Sequence, residues 1–328
     1  MRLLKFIHDW ILIFAILAGI GGYFLYAAIP ALDGTHALAM EAISVVQPAL
    51  IFAMLFLTFA KVDPHELRLC RWHGWLLALQ AGIFLGLAVL AIMLPQGGAR
   101  VIVEGAMICF ICPVATAAAV ITGKLGGSAS QITTYTILIN LTVAILIPAT
   151  LPYVHPSPTL GTAEASLLIL GKVMPLLLMP LLLAMLLRHM APRVLAWFAA
   201  RQSLAFYLWV VALATATAVT TRTIVHSHVE LYVALSLVGV TLLSCAAQFA
   251  IGWKVGERYG ARVTAGQSMG QKNTVLAIWM GYTFFTPITA VAGGFYSIFH
   301  NVVNSWQLNR ARHRAQQGGD RAQGAVRD

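Results

Sequence analysis

Charge is what this chain has least of. Only 10% of its 328 residues are Asp, Glu, Lys or Arg, against roughly 25% in an ordinary soluble domain, which excludes a conventional water-soluble globule. Cysteine is scarce as well. The four present, Cys70, Cys109, Cys112 and Cys245, suggest no secreted disulfide framework. The Cys109-x-x-Cys112 pair lacks the second pair or flanking histidines of a zinc module, so it reads as packing. There is no P-loop, no G-x-G-x-x-G followed by a suitable acid and no H-E-x-x-H. Nothing points to ATP as a driver, and no cofactor is expected.

What the chain does have is apolar sequence, 59% of it. Runs of about 20 apolar residues, enough to cross a hydrocarbon core, recur at 8–29, 38–60, 74–94, 102–123, 129–152, 165–187, 203–221, 230–252, 262–283 and 286–308. The expected class is an all-α polytopic membrane protein with ten transmembrane helices. The basic start and apolar body of the first 30 residues resemble a signal peptide, but the run is too long and lacks a convincing cleavage site, so it reads as the first span.

Cytoplasmic loops carry the excess of Lys and Arg. With the N-terminus inside, seventeen of the 21 basic residues fall on the inner face, only Arg100 and Arg222 fall outside, and Lys172 and Lys272 lie within spans. That arrangement predicts cytoplasmic N- and C-termini in a bacterial-type inner membrane. It also accounts for the net charge of +10 without nucleic acid as a partner. Residues 309–328 read as a disordered basic cytoplasmic tail able to touch anionic lipid of the bilayer.

Five spans precede the loop Tyr153 to Glu164 and five follow it, so residues 1–153 and 164–308 form two repeats of opposite orientation, an architecture of secondary transporters. In such folds the binding site is marked by interrupted spans at equivalent positions. The fourth carries Pro113 and Thr116 near its middle, and proline removes a backbone donor, placing a break around Pro113 to Ala119, with Ala118 and Ala119 at its end. The ninth is interrupted by Gly266, Gly270 and the polar set Gln267, Ser268, Gln271, Lys272 and Asn273. Half-helices starting at such breaks present free N–H groups that favour anions.

The ninth span also contains a G-x-S-x-G match centred on Ser268. A hydrolase nucleophile in that pattern needs an acid and then a histidine downstream, yet the next acid is Asp320, beyond His300 and His313. Close helix packing by Gly266 and Gly270 explains the pattern instead. Lys272 is the residue that matters here. A lysine near the bilayer centre costs at least about 2.5–3.5 kcal/mol and marks a pathway or a paired site, and about ten residues separate it from either end of its span. It is expected to act as a fixed counter-charge for an anion or as a titrating group that couples transport to protons. Lys172, nearer a surface, reads as a snorkelling or helix-paired residue.

Three segments carry a resemblance to a known family. They are CPVATAAAVITGKLGG (Cys112 to Gly127), MGQKNTVLA (Met269 to Ala277) and FHNVVNS (Phe299 to Ser305), and the chain from 8 to 308 resembles the bile acid:sodium symporter family. The resemblance implies ten spans, inverted five-helix repeats and broken, crossed fourth and ninth helices. It implies a panel bundle made of the first, second, sixth and seventh spans, and substrate-binding roles for Thr116, Asn273, His300 and Asn301; Lys272, which the family does not share, is expected to supply charge beside them.

The chain departs from the family at its sodium sites. Ala118-Ala119 stand in place of Ser-Asn, Ser268 in place of an acid, and Lys272 in place of a glutamine. Gln80 is the retained ion-site residue, and ion or proton coupling would fall to Gln80, Ser268, Gln271 and Lys272. The expectation is a sodium-independent secondary transporter of a small organic anion, monomeric or homodimeric, with no enzymatic activity. Two alternatives are a thiol-dependent metalloid exporter of related fold using Cys112, and a membrane-embedded hydrolase using Ser268. A third is a relative that binds a ligand without moving it.

Overall fold

A backbone surrounded by hydrocarbon must bond to itself, and this one does so as helices. The computed structural model describes residues 11–226 and 230–324. Among them lie α1 (Ile11–Ala27), α2 (His36–Phe59), α3 (Arg71–Met93), α4 (Gly98–Ile111), α5 (Ala118–Lys124), α6 (Ala129–Val154) and α7 (Thr162–Met190). These are followed by α8 (Pro192–Ala200), α9 (Gln202–His226), α10 (Leu231–Glu257), α11 (Arg262–Gly270), α12 (Thr274–Phe284) and α13 (Ala290–Gly324). Pairing of extended backbone is confined, among these residues, to one antiparallel bridge between Val114 and Lys272.

Among the described residues six helices, α2, α3, α6, α7, α9 and α10, are long and apolar enough to cross a membrane. The other expected spans fall short for identifiable reasons. α1 has 17 described residues, with Arg2, Lys5 and the start of the expected first span outside the described part. The fourth and ninth are each divided in two, as α4 with α5 and α11 with α12. The tenth lies within α13, which continues to Gly324 through the segment expected to be a disordered tail. The alanine, glutamine and arginine residues there favour helix, and no proline interrupts them.

α8 was not expected. Pro192 sits at its first turn, where a missing N–H is harmless. Leu195 is buried, Phe198 meets Phe56 edge-on at 5.2 Å, and the Arg201 guanidinium lies 3.5 Å over the Trp197 ring.

The helices form two groups that are joined where α6 packs on α7 and where α9 meets α12. α9 packs on α1 and α2, and α2 packs on α7. The second group joins α3 and α6 to the first broken pair, and α10 and α13 to the second. Close approach needs small residues: a Cβ on Gly252 of α10 would stand 2.5 Å from the Ala265 carbonyl oxygen and 2.8 Å from Gly266 Cα of α11.

Candidate functional site

The two breaks meet. Cys112 is extended ahead of Pro113, as a residue before proline must be, and this ends α4. The chain stays non-helical until Ala118. On the other side Gln271 is extended and ends α11, and Asn273 caps α12, its Oδ1 accepting from the Leu276 N–H at 3.2 Å. Each break supplies what the other lacks. The Ala115 N–H donates to the Gln271 carbonyl at 3.0 Å, and the Asn273 N–H to the Pro113 carbonyl at 2.9 Å. The Cys112 thiol also donates to the Asn273 carbonyl, at 2.9 Å.

Two glutamine–tyrosine pairs satisfy other loose carbonyls. Gln80 of α3 donates to the Phe110 carbonyl at 2.7 Å and accepts from the Tyr135 hydroxyl of α6 at 2.9 Å. Gln248 of α10 donates to the Cys109 carbonyl at 3.1 Å and to the Tyr296 hydroxyl of α13 at 3.0 Å, while Tyr296 donates to the Gly270 carbonyl at 2.9 Å. Gln80, expected at an ion site, thus has its amide engaged in holding broken backbone.

A cavity of about 690 Å³ reaches the breaks from the surface that carries the α2–α3 loop. Lys61 and Glu66 of that loop are exposed, whereas Lys272 is 1% exposed, so the cavity runs from wet to dry. One wall is the start of α9, with Phe206, Tyr207 and Trp209. The opposite wall holds Thr116, Gln271, Lys272 and Asn273 from the breaks and His300 and Asn301 from α13. The cavity therefore lies between the two helix groups.

Six of the expected substrate and coupling positions come together at its inner end: Thr116, Gln271, Lys272, Asn273, His300 and Asn301. His300 Nδ1 accepts from the Lys272 backbone N–H at 3.3 Å, and the Asn301 amide donates to the Ser297 carbonyl at 2.6 Å. Lys272 Nζ and the Asn273 side-chain amide are buried donors that lack any acceptor among the described residues. The titratable groups that reach Lys272 electrostatically are the Cys112, Cys109 and Cys245 thiols; no carboxylate is among them.

The other expected positions lie elsewhere. Ala119 touches the cavity, while Gln80, Pro113, Ala118, Ser268 and Gly270 stay off its walls. Ser268 is fully buried in α11, its hydroxyl without a partner, and Gly270 is covered by the Phe249 ring. Cys112 is fully buried as well. Lys172 is exposed on α7.

One buried charge escaped the sequence reading. Glu104 of α4 is fully buried, takes a 3.1 Å ion pair from Arg100 and lies 3.1 Å from His155 Nε2, with Thr289 at 3.4 Å. Arg100 also donates to the Val154 carbonyl, so the start of α4, the end of α6 and the start of α13 converge on one carboxylate. The four-residue spacing of Arg100 and Glu104, which places them on one helix face, was the available signal. The sequence matches no protein-family model, and no curated protein matches it.

Proposed function

We propose that the protein is a secondary transporter of a small organic anion, built from ten spans in two inverted five-helix repeats and resembling the bile acid:sodium symporters. Counting each broken pair as one span, and α1 and α13 as the first and tenth, yields ten with both termini cytoplasmic. The cavity then opens to the cytoplasm. The glutamine–tyrosine pairs fall on the third and fifth spans of one half and the eighth and tenth of the other, the equivalence that inverted repeats require.

The observation that carries the reading is the buried, acceptor-free Lys272 ammonium at the meeting point of the breaks, on a cavity wall with the Asn273 amide and next to the N-terminus of α12. Donors and a positive charge that nothing in the protein satisfies are what an anion would satisfy. Thr116, His300 and Asn301 would orient it. Lys272 would stand where a coupling cation would otherwise supply charge, making transport sodium-independent and open to proton coupling. Alternating access would proceed by the group containing α1, α2, α7 and α9 rocking against the group that holds the breaks.

The test is the thermal unfolding of purified protein with matched sets of carboxylates, sulfonates and their neutral amides, in sodium and in choline. A ligand of the folded state raises the midpoint by mass action. The reading expects stabilisation by some anions but not by their neutral analogues, equal in the two salts and lost in Lys272→Gln. Stabilisation by neutral analogues, or persistence of the anion effect in Lys272→Gln, would overturn it. A sodium-dependent rise would overturn sodium independence.

A further inference from the structure

A second pocket, of about 490 Å³, lies apart from the transport cavity and shares no residue with it. Three helices begin at its wall: α3 at Arg71, α6 just after Ser128, and α11 at Arg262. They are 23, 26 and 9 residues long. Each first turn carries N–H groups with no partner inside the helix and the positive end of a macrodipole, although at α6 the Gln131 N–H is already capped by the Ser128 hydroxyl at 3.3 Å. Convergence of three such ends on one concavity is an electrostatic feature in itself.

The side chains reinforce it. The lining includes the guanidinium residues Arg71 and Arg262 and the hydroxyl residues Ser128, Tyr259 and Thr264, and no carboxylate. One donor of Arg262 is engaged by Glu257 at 2.9 Å, which leaves the rest of its five-donor fork. Trp72, in the first turn of α3, is 1% exposed and lines the same pocket, and its indole N–H has no acceptor among the described residues. A buried donor without a partner is destabilising until an acceptor arrives. The loops are shaped for close approach by backbone: Gly126 and Gly260, both on the lining, adopt φ of +81° and +64°, angles that glycine adopts without strain.

We propose that this pocket binds a phosphate group, held by the starts of α3, α6 and α11 together with Arg71 and Arg262. Phosphate suits it because several oxygens can accept at once from converging N–H groups and a guanidinium fork. The pocket lies on the face assigned to the cytoplasm, where Leu69 is 78% and Tyr259 41% exposed beside it, and where the inner leaflet presents anionic phospholipid. The group therefore comes either from a lipid headgroup or from a phosphate in solution. The Ser128 N–H already bonds the Thr264 hydroxyl at 3.0 Å, linking α6 to α11. An occupant would fix the near end of α11, the helix that leads directly to Lys272, against α3 and α6.

The experiment uses the full chain in two arms. In detergent, the unfolding midpoint is followed with inorganic phosphate against chloride at constant ionic strength. In nanodiscs, it is followed with phosphatidylglycerol mixed into phosphatidylcholine against phosphatidylcholine alone. Variants are Arg71→Gln, Arg262→Gln, their combination, Lys272→Gln, and Arg193→Gln as a basic residue outside the pocket. A rise in either arm that is lost in the double variant, weakened in each single one, and kept in Lys272→Gln and Arg193→Gln supports the site. A rise only with phosphate identifies a soluble ligand, and one only with phosphatidylglycerol a lipid. No rise in either arm, a rise that survives the double variant, or one that disappears in Lys272→Gln overturns the proposal. If the double variant does not fold, the single variants decide by the same criteria.

Discussion

Replacing Lys272 by methionine should make the protein more stable and inactive at once. The side chains are similar in length and volume, so Lys272→Met leaves the packing of a residue that is 1% exposed nearly unchanged. What it removes is a buried lysine head group with no hydrogen-bond acceptor among the described residues. Insertion scales place a lysine at the centre of a membrane helix about 2.5–3.5 kcal/mol above neutral, and the thiols around Lys272 offset little of that when uncharged. The backbone N–H to His300 is unaffected by the change. The expected gain is therefore about 2–3 kcal/mol, measurable as a shift of the midpoint in reversible unfolding by SDS in mixed micelles. In the same preparation, anion-induced stabilisation should vanish. A methionine variant that is less stable than wild type by 1 kcal/mol or more would refute the reasoning, because it would mean that the ammonium is held by an interaction within the protein. The combination of gained stability and lost binding is the mark of a residue kept for function.

Four further outcomes follow from the packing and the buried polar groups. Gly252→Ala should destabilise by about 1–3 kcal/mol because its Cβ would meet the α11 backbone at 2.5 Å, whereas Gly171→Ala on α7, with nothing within 4 Å, should be neutral or slightly stabilising in the same unfolding assay. Gln80→Leu orphans the Phe110 carbonyl and the Tyr135 hydroxyl and should lose about 1–3 kcal/mol for each, with Gln248→Leu behaving alike; little loss in either would mean that water satisfies the breaks. Glu104→Gln leaves Arg100 buried without its charge partner and should lower stability by about 3–5 kcal/mol, a loss that Arg100→Met in the same chain should partly restore. Lys61, outside the spans, is held below its ordinary value of 10.5 by desolvation. The unfolded chain binds the proton more tightly, so stability should rise as pH climbs toward 10.5, and pH titration of Lys61→Gln should show that part of the slope removed.

The breaks were legible because proline and clustered polar residues are rare enough in apolar sequence to stand out. Pro113 located the first and the run from Gln267 to Asn273 the second, and the helices end at Ile111 and Gly270. The uses of the individual residues were less legible. Gln80 is assigned to an ion site through the family resemblance alone, and nothing in the linear sequence shows that the Phe110 carbonyl will lie within 2.7 Å of it. Ser268 and Gln271 are three residues apart and so lie on adjoining parts of a helical face, but the helix ends at Gly270, and only Gln271, beyond the end, reaches the cavity. α8 was missed because nine residues with two arginines nearby resemble a loop. Its apolar face becomes apparent only when Leu195 and Phe198 find the core. The second pocket was invisible for a stronger reason: its walls come from three loops far apart in sequence.

The pairing of the breaks limits how the proposed rocking could occur. Unwound backbone at membrane depth is tolerated only while its N–H and C=O groups have partners, and here the partners of each break lie largely in the other. Separating them would strand the Ala115 and Asn273 N–H groups and the Gln271 and Pro113 carbonyls, at about 1–3 kcal/mol per group. The breaks must therefore travel as one body, together with the helices that brace them through Gln80, Tyr135, Gln248 and Tyr296. The cavity has its other wall on α9, which packs on α1 and α2 and also meets α12 and α13, so the proposed rocking would have to slide α9 along the breaks and hinge where α6 packs on α7. A disulfide or short crosslink from α9 to the loop at Thr116 should stop transport, whereas one across the two breaks should leave it running.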